Sequence, residues 1–344
     1  MNHFGGVMQR FQDSQEKMEE IDLMLYLISF FLGGAGAWVI TKWGKKLSLL
    51  DKPNSRSSHE TDTPKGGGIG VLAAFFVCSI VLSISKSFWI PAAFISLFSF
   101  WGDRSDIKPK LRLLFQFCAG TILLIGILTE KQSGFVTYPL IPFLVVFLVG
   151  TSNFYNFMDG IDGIAGISGV VGFGLIAFYS SNSEYNSSLN ALAICMSISC
   201  VGFLPFNIPK ASVFMGDVGS ILLGFVFSAM VVYFSKNFIE FICMISFLFP
   251  FYADELTTMM VRLKDGENLI RPHRRHLYQL LANEYRVAHW KISLGYGAFQ
   301  LIVGSSILLI KIKGEMAMVS TLMLYFCTFT ILSLIFRKRV KCKI

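Results

Sequence analysis

Apolar residues in this chain come in long stretches without Asp, Glu, Lys or Arg, at 23–41, 68–85, 88–101, 113–129, 132–158, 163–183, 185–209, 218–235, 241–253, 292–310 and 316–336. Most of them reach the roughly 17–25 residues that a helix needs to cross the hydrocarbon layer. The runs 88–101 and 241–253 are short, so their helices are expected to extend into flanking charged residues such as Asp254 and Glu255. The pattern predicts an all-α, polytopic transmembrane protein of about eleven spans. A single transmembrane domain covers 23–336, after a polar N-terminal extension at 1–22 and before a basic cytoplasmic tail at 337–344.

If all eleven runs cross, the connections alternate sides, and Lys and Arg can be assigned to each side. One side collects 23 of the 30 Lys and Arg residues. The excess of basic residues on cytoplasmic loops then sets the orientation, with the N-terminus outside and the C-terminus in the cytoplasm. Composition agrees, since 53% hydrophobic and 15% charged residues lie outside the range of a soluble globular chain. The net charge of +8 reads as topology and attraction to anionic membrane lipids, with no nucleic-acid partner implied. Of seven cysteines, six fall in apolar runs with no metal-ligand spacing, and they read as small core residues.

The polar clusters all land on the side assigned to the cytoplasm. The richest is Asn153-Phe-Tyr-Asn156-Phe-Met-Asp159-Gly-Ile-Asp162-Gly, which sets two amides and two carboxylates at the end of a long run. Polar groups at a membrane boundary are costly and point to function. Helix capping would need one of them, not four. Earlier, Asp51-Lys-Pro-Asn54-Ser-Arg56-Ser-Ser-His59 precedes Pro64-Lys65-Gly66-Gly67-Gly68. A glycine-rich turn opening a helix exposes backbone N–H groups to an anion, and Arg56, His59 and Lys65 add charge. A solvated loop is the alternative.

Gly102-Asp103-Arg104-Ser-Asp106-Ile-Lys108-Pro-Lys110-Leu-Arg112 follows a span. Asp103 and Asp106 share a face if the segment is helical, as a metal or proton-transfer site requires. The four bases there also suit plain lipid anchoring. Phe214-Met-Gly216-Asp217-Val-Gly219-Ser220 is a turn into another apolar helix, where Asp217 either caps the helix or faces Asn156. The longest loop carries Arg262, Lys264, Asp265 and Arg271-Pro-His273-Arg274-Arg275-His276-Leu-Tyr-Gln279, whose arginines and histidines offer clamps for phosphates or a stripe against lipid headgroups.

Taken in order over residues 51–281, these motifs resemble the polyprenyl-phosphate N-acetylhexosamine-1-phosphate transferases, membrane enzymes that begin bacterial cell-wall and O-antigen lipid intermediates. The resemblance rests on Pro53, Asn54, Arg56 and His59 with Gly66 and Gly67, on the Asp103–Arg112 loop, and on Asn153, Asn156, Asp159 and Asp162. It is completed by Gly216–Ser220, Asp254 and the histidine loop. The form of that loop is closer to the branch handling 6-deoxy or related N-acetylated sugars of surface polysaccharides than to the muramyl-pentapeptide branch.

The resemblance implies transfer of a sugar 1-phosphate from a UDP-N-acetylhexosamine to undecaprenyl (polyprenyl) phosphate, with release of UMP, at a site on the cytoplasmic face of the inner membrane. It implies Mg²⁺, replaceable by Mn²⁺, on Asn156 and Asp217, both hard oxygen donors. Asp103, Asp106 and Asp217 are the expected catalytic residues. Asn54, Arg56, His59, Lys65, Gly67, Lys108, Asn153, Asp159, Asp162, His273, Arg274, Arg275 and His276 are expected to bind substrate. A homodimer is a further expectation.

One departure stands out, because the family usually has two adjacent aspartates where this chain has Gly102-Asp103. The alternatives are therefore a catalytically impaired scaffold of a glycan assembly complex, or a muramyl-pentapeptide-type phosphotransferase. A secondary transporter fits poorly, since its polar residues would sit near mid-membrane. A CDP-alcohol phosphotransferase would need later aspartates in series on one helix, which are missing.

Overall fold

The computed structural model describes residues 2–341 apart from 54–57, 59, 60, 106, 131–136, 182–185 and 270–272, with the backbone alone for 2–19 and 341. Among these residues the helices are α1 (Asn2–Trp43), α2 (Ile69–Val81), α3 (Lys86–Arg104), α4 (Pro109–Glu130), α5 (Ile141–Met158), α6 (Ile164–Ser180), α7 (Ser187–Phe203), α8 (Gly216–Phe234), α9 (Phe238–Ile245), α10 (Phe249–Lys264), α11 (Leu277–Asn283), α12 (His289–Ile310) and α13 (Glu315–Lys341). Every charge-free run falls on a helix, because backbone polar groups in lipid must be satisfied within the segment. The run 241–253 is the one that breaks. Pro250 has no N–H and would clash with the carbonyl a turn earlier, so α9 ends in a 3₁₀ turn at Ser246–Leu248 and α10 starts afresh.

Helices α1, α4, α5, α7, α8, α12 and α13 are long and apolar enough to cross a membrane, and α2 and α6 are shorter apolar helices. The molecule is thus an all-α polytopic membrane protein. The segment taken as a polar extension continues the backbone of α1 from Asn2, and the basic tail continues α13 to Lys341.

Helix α8 forms the centre, with 89% of its apolar window buried, whereas α13 has 11% buried and lies at the periphery. Helices α3 and α5 pack on α8, while α1, α2, α6 and α7 form an adjoining group joined to α12 through α6. Close approach in that group depends on missing side chains. A Cβ on Gly36 would lie 2.3 Å from the Gly70 backbone, and one on Gly202 would lie 2.0 Å from the Phe30 carbonyl. Lipid tails give helices no hydrophobic reason to associate, so such backbone contacts carry the packing.

At one end of this bundle the strands β1 (Leu50–Asp51) and β2 (Thr63–Pro64) pair antiparallel, with Leu50 opposite Pro64. Lys65 then bridges in parallel to Phe214, since the Phe214 N–H donates to the Pro64 carbonyl and the Gly66 N–H donates to the Phe214 carbonyl. That pairing carries Lys65 to the start of α8.

Candidate active site

The start of α8 is the point where distant segments meet. Gly216 has φ +73, and a Cβ there would lie 2.6 Å from the Gly66 nitrogen and 3.0 Å from Asp103 Oδ2. Glycine lets the turn close against both. Asp217, the next residue, lies in the first turn of α8, whose N-cap position is Met215, so it is not the capping residue. Its Oδ1 accepts from Asn156 Nδ2 at 2.8 Å, and its Oδ2 accepts from Arg112 Nη2 at 2.5 Å. Asn156, in the last turn of α5, also donates to Ser220 Oγ at 2.8 Å. Asp103 lies in the last turn of α3, past the charge-free run. Its Oδ2 accepts from the Asp217 backbone N–H at 3.1 Å, and its Oδ1 is 3.4 Å from Lys65 Nζ. One cluster therefore draws on α3, α4, α5, α8 and the segment after β2.

A cavity of about 170 Å³ adjoins the cluster, lined by Lys65, Asp159, Asp162, Asn207, Phe214 and His289 among others. Its floor is the turn between α5 and α6, which is clamped on three sides. Gly163, at φ +86, donates to Asn207 Oδ1 at 2.7 Å, and Ser293 Oγ donates to the Asp162 carbonyl at 2.7 Å. Tyr278 Oη donates to the Phe157 carbonyl at 2.9 Å and lies where a Cβ on Gly160 would be. A larger groove of about 320 Å³ between α11, α12 and α13 has Lys291 as its one charged wall residue and no acid, so phosphate chemistry has no means there.

Burial, and after it the crowding of acids, sets the electrostatics. Burial, and then the neighbouring Asp217 carboxylate, push Asp103 up to about 7 against the pull of Lys65 and Arg112. Burial, followed by Asp217, Asp103 and Asp162, pushes Asp159 up to about 8. Repulsion of this kind is what a bound cation relieves. Among the described residues no three His, Cys, Asp or Glu side chains close into a metal cage. Mg²⁺ does not need one, since it commonly keeps waters and takes one or two carboxylates with substrate phosphates. The donors present fit it: Asp217 offers two carboxylate oxygens, one against the Arg112 guanidinium and one against the neutral Asn156 amide, and rotation of that amide would offer Oδ1 beside them.

Other expected residues fall elsewhere. The reading of Gly67 as part of an anion cradle is corrected: Gly66 and Gly67 N–H both donate to the Phe214 carbonyl, and Gly68 N–H to Met215, so these donors are already used. The glycines serve close packing instead, with a Cβ on Gly67 2.9 Å from the Phe203 ring. Helix α3 ends at Arg104 and Ser105 is extended, so a helical face shared with Asp106 is not formed, and Asp106 itself lies outside the described residues, as do Asn54, Arg56 and His59. Asn153 donates to Gln116 Oε1 and to the Val149 carbonyl, both at 2.7 Å, which ties α5 to α4. Lys108 is exposed just before α4.

The histidine loop is mostly engaged with itself and with α10. Arg275 pairs with Asp265 and Glu267, while Arg274 is nearly half exposed and 3.9 Å from Glu284. His276 is buried, 3.4 Å from Glu255 and 3.9 Å from Asp254. Burial above all pushes the imidazoles of His273 and His276 down to about 4. Two residues at the site escaped the sequence reading. Arg112 stands in the sequence only as the end of the Asp103–Arg112 loop and one of its four bases, without a role of its own, and His289, late in the longest loop, carries no motif.

Comparison with known proteins agrees with this geometry. Residues 85–235 match Glycosyl transferase family 4. An undecaprenyl-phosphate alpha-N-acetylglucosaminyl 1-phosphate transferase of Thermotoga maritima is 28% identical over 278 residues, covering 80% of this chain and 85% of that protein. The enzyme of the same description from Escherichia coli K12 is 30% identical over 268 residues, covering 70% and 71%. A decaprenyl-phosphate N-acetylglucosaminephosphotransferase of Mycobacterium leprae is 24% identical over 308 residues, covering 76% of each. The chain therefore belongs to the polyprenyl-phosphate N-acetylhexosamine-1-phosphate transferases, a family of phosphoglycosyl transferases.

Proposed function

We propose that this protein transfers an N-acetylhexosamine 1-phosphate from a UDP-sugar to undecaprenyl (polyprenyl) phosphate at the cytoplasmic face of the inner membrane, through eleven spans with the N-terminus outside. The carrying observation is the meeting of Asp103, Asn156 and Asp217, from three separate helices, beside a cavity walled by Lys65, Asp159 and Asp162. In the reaction an acceptor phosphate oxygen bonds to the phosphorus bearing the sugar. The bond from that phosphorus to the bridging oxygen breaks, and the oxygen leaves on UMP.

The protein's part is to bring two polyanions together and to hold them in line. Asn156 and Asp217 would hold Mg²⁺, or Mn²⁺ in its place, which when bound neutralises the diphosphate and the charge gathering on the leaving phosphate. Lys65 and Arg112 supply fixed positive charge at the same cleft. Asp103 takes the residual proton of the acceptor phosphate, a modest task since the second pKa of a phosphate monoester is about 6. Asp159, Asp162 and the Phe214 ring form the pocket for the nucleotide, and Arg274 is an exposed base of the histidine loop able to meet a phosphate.

The names of the relatives favour N-acetylglucosamine as the sugar over a 6-deoxy sugar. The resemblance of the motifs supports initiation of a surface polysaccharide such as O-antigen as the setting. Purified protein given undecaprenyl phosphate, Mg²⁺ and either UDP-GlcNAc or a UDP-linked 6-deoxy N-acetyl sugar should release UMP, and chelation with EDTA should stop it. Absence of UMP from every donor would leave the scaffold reading standing.

A further inference from the structure

We infer that His289 is a positioning residue for the nucleotide, fixing the backbone that presents the Asp162 carboxylate from the first turn of α12. The inference rests on the proposed use of this cavity by a UDP-sugar. Three observations meet at this residue. His289 lines the cavity; its Nδ1 accepts from the Asp162 backbone N–H at 3.4 Å; and the same nitrogen is 3.2 Å from Asp162 Oδ2. One turn later on the same helix, Ser293 Oγ donates to the Asp162 carbonyl at 2.7 Å. Helix α12 thus grips both the N–H and the carbonyl of a single residue in the turn.

The chemistry gives that grip a purpose. The side chain of a residue on a short turn is placed by its backbone, and each hydrogen bond that the backbone makes narrows its positions before a ligand arrives. Asp162 Oδ1 receives no donor among the described residues and is left to accept an N–H or O–H of the nucleoside. Because Nδ1 accepts the Asp162 N–H, the proton of the neutral ring sits on Nε2. Asp162 side-chain exposure of 12% and His289 exposure of 20% mean that both remain reachable from the cavity. A pair built only for stability would be sealed, as the fully buried Asp254 is.

The test uses the full-length protein in detergent and two substitutions. His289→Phe keeps the ring volume and loses the nitrogens, whereas His289→Asn loses the ring but can place its Oδ1 acceptor near the position of Nδ1. His289→Phe should raise KM for the UDP-sugar at least tenfold, with kcat and the KM for polyprenyl phosphate within threefold of wild type. UDP binding measured by calorimetry should weaken in parallel, and His289→Asn should recover most of both. In an Asp162→Asn background, His289→Phe should add less than twofold.

An unchanged donor KM in His289→Phe overturns the inference, and so do equal losses for both substrates or a full additive effect on top of Asp162→Asn. Failure of both His289 variants to give a cooperative melt also overturns it, since the pair would then be structural. Wild-type protein that neither turns over a UDP-sugar nor binds UDP would sink the function proposed for the cavity, an outcome distinct from all of these.

Discussion

Two aspartates of this chain, Asp217 and Asp254, sit on helices near the same end of the bundle and meet opposite environments. Asp254 is fully buried, and its oxygens accept from the Leu277 and Tyr278 backbone nitrogens at 2.8 and 3.3 Å, from Tyr296 Oη at 2.8 Å and from Thr258 Oγ1 at 3.2 Å. Arg337 adds positive charge 3.8 Å away. Asp217 has two partners and a side chain 26% exposed, on a cleft shared with other acids. A carboxylate saturated with donors has nothing left to give a ligand, and it fixes the histidine loop against α10. A carboxylate with few partners, among like charges, is kept for something that arrives later. In this family, an acid inside a motif is therefore not by itself an active-site acid.

The sharpest way to break the comparison is to neutralise each carboxylate without changing its shape. Asp217→Asn should lower UMP release by about 10²–10³-fold, the range for removing one group aimed at developing charge, while thermal unfolding in detergent stays near wild type. Asp254→Asn should do the reverse to folding. It leaves Arg337 buried without its counter-charge, and loss of one partner of a buried pair costs about 3–5 kcal/mol. The double variant Asp254→Asn with Arg337→Met should regain part of that loss, because the uncompensated charge is gone. If Asp217→Asn unfolded the protein and Asp254→Asn merely slowed turnover, the two roles would have to be exchanged.

Much of this division is readable from the chain itself, for reasons that differ by region. The apolar runs are legible because lipid tolerates no unsatisfied backbone, so each helix had to be a continuous stretch without charge. The break at 241–253 was hidden by counting charges alone, although Pro250 announces it. Asn156, Asp159 and Asp217 stood out because polar groups at a membrane edge are expensive. What a backbone N–H meets cannot be read from a glycine pattern, which is why Gly66–Gly68 suggested an anion site and are in fact bonded to Phe214 and Met215. Arg337 looked like one more basic residue of a tail, yet it is 7% exposed and donates to Thr258 and Ser333. Its partners lie on α10 and one turn back on α13, and only the packing of those helices brings them together.

The Asp254 node also makes a pH prediction that the Asp217 cleft does not share. His276 is held neutral beside Asp254 and Glu255, its imidazole pushed down to about 4, mainly by burial. In the unfolded chain it would titrate near the ordinary value of 6.5. The unfolded state then binds the extra proton first as pH falls, so the stability that His276 contributes is complete above about 6.5 and is lost progressively towards 4. The raised Asp103 and Asp159 contribute in the opposite direction over the same window, so the readout is a difference: between pH 6.5 and 5 the wild-type unfolding midpoint in detergent should fall relative to that of a His276→Asn variant. A wild-type profile parallel to that of the variant would mean that the ring is not held neutral in the folded protein.

The smallest effect separates two adjacent arginines, and it decides how far the histidine loop belongs to the cleft. Arg275 is committed to Asp265 and Glu267 within its own loop, whereas Arg274 is 47% exposed and has one loose partner at 3.9 Å. If the loop offers a phosphate contact, the guanidinium with spare donors should carry it. Arg274→Gln should raise KM for polyprenyl phosphate several-fold, and the loss should shrink at high salt, where an exposed charge is screened in the wild type as well. Arg275→Gln should leave both KM values within twofold and lower stability by about 1 kcal/mol or less, as exposed ion pairs usually do. The opposite ranking would mean that Asp265 and Glu267 release Arg275 when substrate binds, and the loop would then join the cleft as a moving part rather than as a scaffold pinned by Asp254.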